Sequence, residues 1–142
     1  MAFGQWWVRP MRHSLQNPQC PSGWTITGGV GGLYDPIDSI SDPSGNGGGK
    51  VAWITGGAVL SQAAGTASAG LSYTLDFVVG DRTDQAWSGG AARIRAVSPD
   101  GLTGVLLATT VLPTPADGQW APVSLSTGTL PQALDGYALI ME

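Results

Sequence analysis

A chain of 142 residues is sized for one domain, and with 42% apolar residues it can bury a core of its own. Charged residues make up only 11%, and 22 glycines and 10 prolines punctuate the chain, which excludes long helices because interior glycine and proline cost a helix about 1 and 3 kcal/mol. The net charge of −4 is unevenly spread, with no acid before Asp35, and the acidic body that follows would repel phosphate backbones, which argues against a nucleic-acid partner.

Residues 1–22 differ from the rest. Phe3, Trp6 and Trp7 are apolar anchors without strand alternation, while Pro10, Pro18 and Pro21 forbid a continuous helix or a central strand. The segment reads as an extended arm carrying Arg9 and Arg12, ahead of a domain over residues 23–142. Two readings of its aromatic residues stay open: they dock on another protein subunit, or they fold back on the domain's own core. Docking through Phe3, Trp6, Trp7, Arg9 and Arg12 would leave the domain folded if residues 1–22 were deleted. Cys20 is the sole cysteine, so an intrachain disulfide and a zinc-binding cysteine cluster are both ruled out. A lone thiol fits folding in a reducing cytosol. No secretory leader is evident, and no stretch of about 18 apolar residues offers itself for membrane insertion.

Strand signals recur from Trp24 onward. WTITGGV alternates, and KVAWITGG places Val51 and Trp53 on one face with Ala52 and Ile54 on the other, a pattern of burial on both sides. Gly56-Gly57 suits a tight hairpin turn before AVLSQ. The stretch SQAAGTASAG reads as a loop. In LSYTLDFVV one face carries Tyr73, Leu75, Phe77 and Val79; in AARIRAV Ala92, Ile94 and Ala96 oppose Arg93, Arg95 and Val97. Pro99-Asp100-Gly101 is a turn before GVLLATTVL, and QWAPVSLS and GYALIME supply the last strands. Pro122 belongs at a sheet edge or a bulge, because it cannot donate to a ladder. Turns about every ten residues predict an all-β, two-sheet antiparallel sandwich. Asp35–Lys50 is the one long loop.

The ordered motifs GWTITGGVG, KVAWITGGAVLSQ, AGLSYTLDFVVGDR, ARIRAVSPDG, DGQWAPVSL and GYALIME resemble galactose-binding-like jelly-roll domains over Trp24 to Glu142. Such domains occur in carbohydrate-binding modules, bacterial surface proteins and phage structural proteins. The resemblance implies a sugar site on a concave sheet face or at loop tips, and a structural calcium ion.

The residues themselves offer little catalytic chemistry. His13 is the only histidine and lies in the arm, away from any strand-end serine; Glu142 is the only glutamate. A nucleophilic triad or a glutamate pair for glycoside hydrolysis is therefore not expected. Asp35, Asp38 and Asp42 supply hard oxygens for Ca²⁺, though not in EF-hand spacing. For a cell-surface glycan, Trp87 is the best ring plate, with Arg82, Asp84 and Gln85 as hydrogen-bonding neighbours and Arg93 and Arg95 on a nearby strand face. Trp24, Trp53 and Trp120 read as core. The expectation is a non-catalytic structural or adhesion protein, a phage virion component of capsid-decoration or fibre-base type. Its alternative is a carbohydrate-binding module of a bacterial surface protein or enzyme. The location would be the virion or, failing that, the cell exterior.

Overall fold

The computed structural model describes residues 6–8, 23–34, 51–83 and 86–142. Among them the strands are β1 (Trp6–Val8), β2 (Trp24–Thr27), β3 (Gly31–Tyr34), β4 (Val51–Ile54) and β5 (Val59–Thr66), followed by β6 (Thr74–Gly80), β7 (Ala91–Val97), β8 (Gly104–Val111), β9 (Trp120–Ser126) and β10 (Ala138–Met141). They form two five-stranded sheets, ordered β3-β4-β1-β6-β9 and β2-β5-β10-β7-β8. Every strand pairing is antiparallel. The expected antiparallel jelly-roll sandwich is borne out. The helical content of the described residues is one 3₁₀ turn, Gln132–Leu134.

Period-two alternation accounts for the layering. On β7, Ala92, Ile94 and Ala96 are almost fully buried, while Arg93 and Arg95 take the opposite face. On β9, Val123 and Leu125 point inward opposite Phe77 and Leu75 of β6. Leu125, Leu75 and Phe77 join Leu139 of β10 in one core, with Leu130 and Leu134 added from the connection that follows β9. β9 lies against β7 and β8, which closes the sandwich on that side. Val51 and Ala52, on opposite faces of β4, are both buried, as a run without polar residues predicts.

Turn chemistry follows the sequence in two places. Gly57 takes φ +84°, and the amide of Ala58 donates to the Thr55 carbonyl at 3.0 Å, closing the β4–β5 turn. At Ser98–Gly101, the Gly101 amide donates to the Ser98 carbonyl at 2.8 Å. Pro122 sits on β9, the outer strand of its sheet, where a missing donor costs no ladder bond.

Two expectations need correction. Trp6–Val8, read as part of an arm without strand character, form β1, the middle strand of its sheet. Trp7 pairs with Trp53 on β4 and with Gly80 on β6. The prolines that argued against a strand stand outside this triplet, so none of them removes a donor from it. Ala63–Thr66, read as loop, extend β5, because β10 runs alongside and supplies partners up to Thr66 through a bulge at Leu139/Ile140. Gly31–Tyr34 forms β3 despite two glycines, held in register by β4. Phe3, Arg9, Arg12, His13 and Cys20 lie outside the described residues.

Candidate functional site between the sheets

The sheets do not fill the space between them everywhere. Away from the β9 side they enclose a cavity of about 550 Å³, within the range of small-molecule sites. Its wall on one sheet is a cross-strand row, with Trp24 opposite Gln62 and Gln62 opposite Met141, and the row continues past the cavity to Ile94, which stands opposite Met141. Directly opposed residues of antiparallel strands share a face, and the burial of Ile94 shows that this face is the inner one. Leu60 and Ala92 extend the wall by one further step along β5 and β7. From the other sheet come Leu75 and Phe77 of β6, with Ile54 at the end of β4. Residues 56–58 and 88–90 also contribute to the lining.

The lining is mostly apolar, and its polar members are few. Gln62 is half-buried within the row. Asp76 lines the cavity but lies on the outward phase of β6. Ser88, Arg93 and Glu142 complete the set among the described residues. Glu142 continues β10 beside β7: its amide donates to the Arg93 carbonyl at 3.0 Å, and the Arg93 amide donates to its carbonyl at 2.8 Å. The Glu142 carboxylate, only 12% exposed, accepts from Arg95 Nη1 at 2.8 Å and lies 3.9 Å from Arg93 Nη1. The close pair is with Arg95.

The sugar-site residues divide. Arg93 and Arg95 do share one face, as their spacing requires, and it is the outer face of the sheet, where Glu142 holds them. Arg82 and Trp87 are half-buried and neither lines the cavity; the Trp87 indole nitrogen is buried. Asp84 and Gln85 lie outside the described residues, as do Asp35, Asp38 and Asp42. Among the described residues no group of three or more His, Cys, Asp or Glu is placed to hold a metal ion, and no helix is long and apolar enough to cross a membrane.

Among the described residues, the environments of two carboxyl groups move their pKa from the ordinary value. Asp81, buried where β6 ends, has its pKa raised by desolvation and by the neighbouring charge of Asp117, against a lowering by the Arg82 amide. Asp100 is lowered by hydrogen bonds from the Ser98 hydroxyl and the Leu102 amide. Neither lines the cavity.

Trp24, Gln62 and Met141 are site residues that sequence reasoning passed over, Trp24 as core and the other two without remark. A signal was present in AVLSQ. Leu60 and Gln62 share a phase, so a polar side chain occupies an inward position of a strand whose neighbour on that face is buried.

No protein-family model matches the chain, and no curated protein matches it in sequence. Solved structures that share its fold include three of cyclases. A cyclase from Fischerella sp. TAU is 15% identical, with a TM-score of 0.59 over 88% of this chain and 76% of its own. The apo form of a cyclase from Fischerella sp., also 15% identical, gives 0.61 over 93% and 79%. A Stig cyclase from Fischerella sp. TAU in complex with (3Z)-3-(1-methyl-2-pyrrolidinylidene)-3H-indole is 16% identical and gives 0.63 over 93% and 80%. These likenesses overturn the expectation of a non-catalytic virion component, together with its carbohydrate-binding alternative. The same sandwich, matched over about nine-tenths of the chain, is carried by enzymes, one of them with an indole compound bound.

Proposed function

We propose that the chain is an enzyme that binds a compact, mainly apolar aromatic molecule between its sheets and promotes ring closure within it. The observation that carries this reading is the 550 Å³ cavity, walled by Trp24, Leu60, Phe77 and Met141 with few polar groups. The fold shared with cyclases supports it. The resemblance to galactose-binding-like domains enters the same proposal as a reading of the scaffold, and the ligand is assigned to the cavity.

Ring closure of an unsaturated side chain onto an aromatic ring is an isomerisation: a C–C bond forms as a π bond is consumed, with no net redox change. Such a reaction needs the substrate held folded, water kept away and developing positive charge stabilised. The apolar walls supply the first two. The faces of Trp24 and Phe77 suit the third, since aromatic rings attract cations. The side chain gains one proton and the ring releases one, so the closure balances in protons as well as in bonds.

The test is calorimetric titration with indole and 3-alkenylindoles, followed by incubation and chromatography for a product of unchanged mass. Binding and an isomeric product are expected, and Phe77→Ala should weaken both about tenfold or more. Folded protein that binds none of these compounds would overturn the proposal.

A further inference from the structure

Gln62 is the inward polar side chain in the middle of an apolar row. Its neighbours across β2 and β10 on the same face are Trp24 and Met141. Among the described residues its amide has no hydrogen-bond partner, although the residue is half-buried and lines the cavity. A carboxamide carries two donors and an acceptor, and at a half-buried position bordering a cavity these are open to a ligand. The local backbone makes room for this one. Gly23 takes φ +82°, and a Cβ there would come within 3.1 Å of Gln62 Nε2, so a side chain at position 23 would crowd the amide.

We infer that Gln62 is the specificity-determining residue of the cavity: its carboxamide hydrogen-bonds a ring N–H or acceptor of a neutral heteroaromatic ligand that lies between Trp24 and Phe77. The inference rests on the proposed function and sharpens its ligand class. An amide that the described residues leave unengaged at the border of a mostly apolar cavity selects for a molecule with one hydrogen-bonding group over a hydrocarbon of the same shape. A charged ligand is disfavoured, because the carboxamide carries no charge to pair with it and the surrounding walls are apolar. One neutral hydrogen bond contributes about 0.5–1.5 kcal/mol, which corresponds to a preference of roughly 3- to 10-fold.

The experiment compares isosteric pairs by calorimetry: indole against indene for a donor, and quinoline against naphthalene for an acceptor. With the unaltered protein, the polar member of at least one pair should bind about 3- to 10-fold more tightly. Gln62→Leu and Gln62→Met should erase that preference while retaining the hydrocarbon, each checked by its melting curve. Equal binding within both pairs overturns the inference and leaves the proposed function standing, and the comparison with the unaltered protein decides this without any variant. A preference that survives in both folded variants also overturns it. If none of the four compounds binds, both readings fall.

Discussion

Asp81 leaves β6 at its buried end, where its amide donates to the Gln119 carbonyl at 3.2 Å and its carbonyl accepts from the Gly118 amide at 3.1 Å. These bonds fix the backbone beside a side chain that is only 4% exposed. Its pKa therefore lies above the ordinary 3.8, from desolvation first and Asp117 second. The folded state binds this proton more tightly than the unfolded state does. The resulting stability is complete below the unfolded value and is lost as pH rises through the folded one. Asp81→Asn keeps an acceptor for the Arg82 amide and removes the charge. Melting temperatures measured over a pH series should fall less steeply for Asp81→Asn than for the parent protein as pH rises through that window, and the variant should be the more stable at neutral pH. Asp100 works in the opposite direction. Its lowered pKa favours the fold above the unfolded value, and that contribution disappears as pH falls through the folded one.

At the scale of the element, β10 shows how one strand is fixed in place. Its inward Leu139 is buried in the core, and its backbone continues into Glu142, whose carboxylate reaches two arginines of β7. The distances rank the two contacts. Arg95→Ala removes the 2.8 Å bond and should cost about 0.5–1 kcal/mol, the range of a partly exposed pair. Arg93→Ala, losing a 3.9 Å contact, should change stability negligibly. Denaturant titration of both variants checks the order, and equal losses would contradict it. Strands such as β6, β7 and β9 were legible because their apolar and polar residues alternate and glycine or proline marks their ends. β1 and β3 were not. Trp6–Val8 shows no alternation and Gly31–Tyr34 begins with two glycines, so both owe their conformation to β4, a partner far along the chain. The cavity was less legible still. A row such as Trp24, Gln62 and Met141 comes together only through the register of three strands, and no spacing within the sequence encodes that. Pro122 is the contrasting case: a missing donor is a local property, and it predicted an edge position correctly.

For the whole molecule, the placement of β1 changes the outcome expected for truncation. Without residues 1–22, β4 and β6 would face each other across an empty strand position, with ladder groups on both sides unpaired. Native domains hold only about 5–15 kcal/mol in reserve, and each buried unpaired group costs about 1–3 kcal/mol. The 23–142 fragment should therefore fail to unfold cooperatively, or melt far below the intact chain, as judged by circular dichroism. A fragment that melts like the parent would show that β1 contributes little and would restore the arm to a role outside the fold.

The same topology orders events during synthesis. β1 is the first described strand to leave the ribosome, yet it has no neighbour until β4 and β6 have followed, and β10, the last described strand, must enter between β5 and β7, which appear long before it. Each sheet thus contains an interior slot whose occupant and flanking strands are made at widely separated times. Vectorial folding cannot complete either sheet alone, and the lining row of the cavity stays broken until Met141 arrives. Until β10 is made, a nascent chain would hold unpaired strand edges and the apolar wall of the cavity open, which makes that interval, rather than the finished molecule, the period of greatest exposure to aggregation.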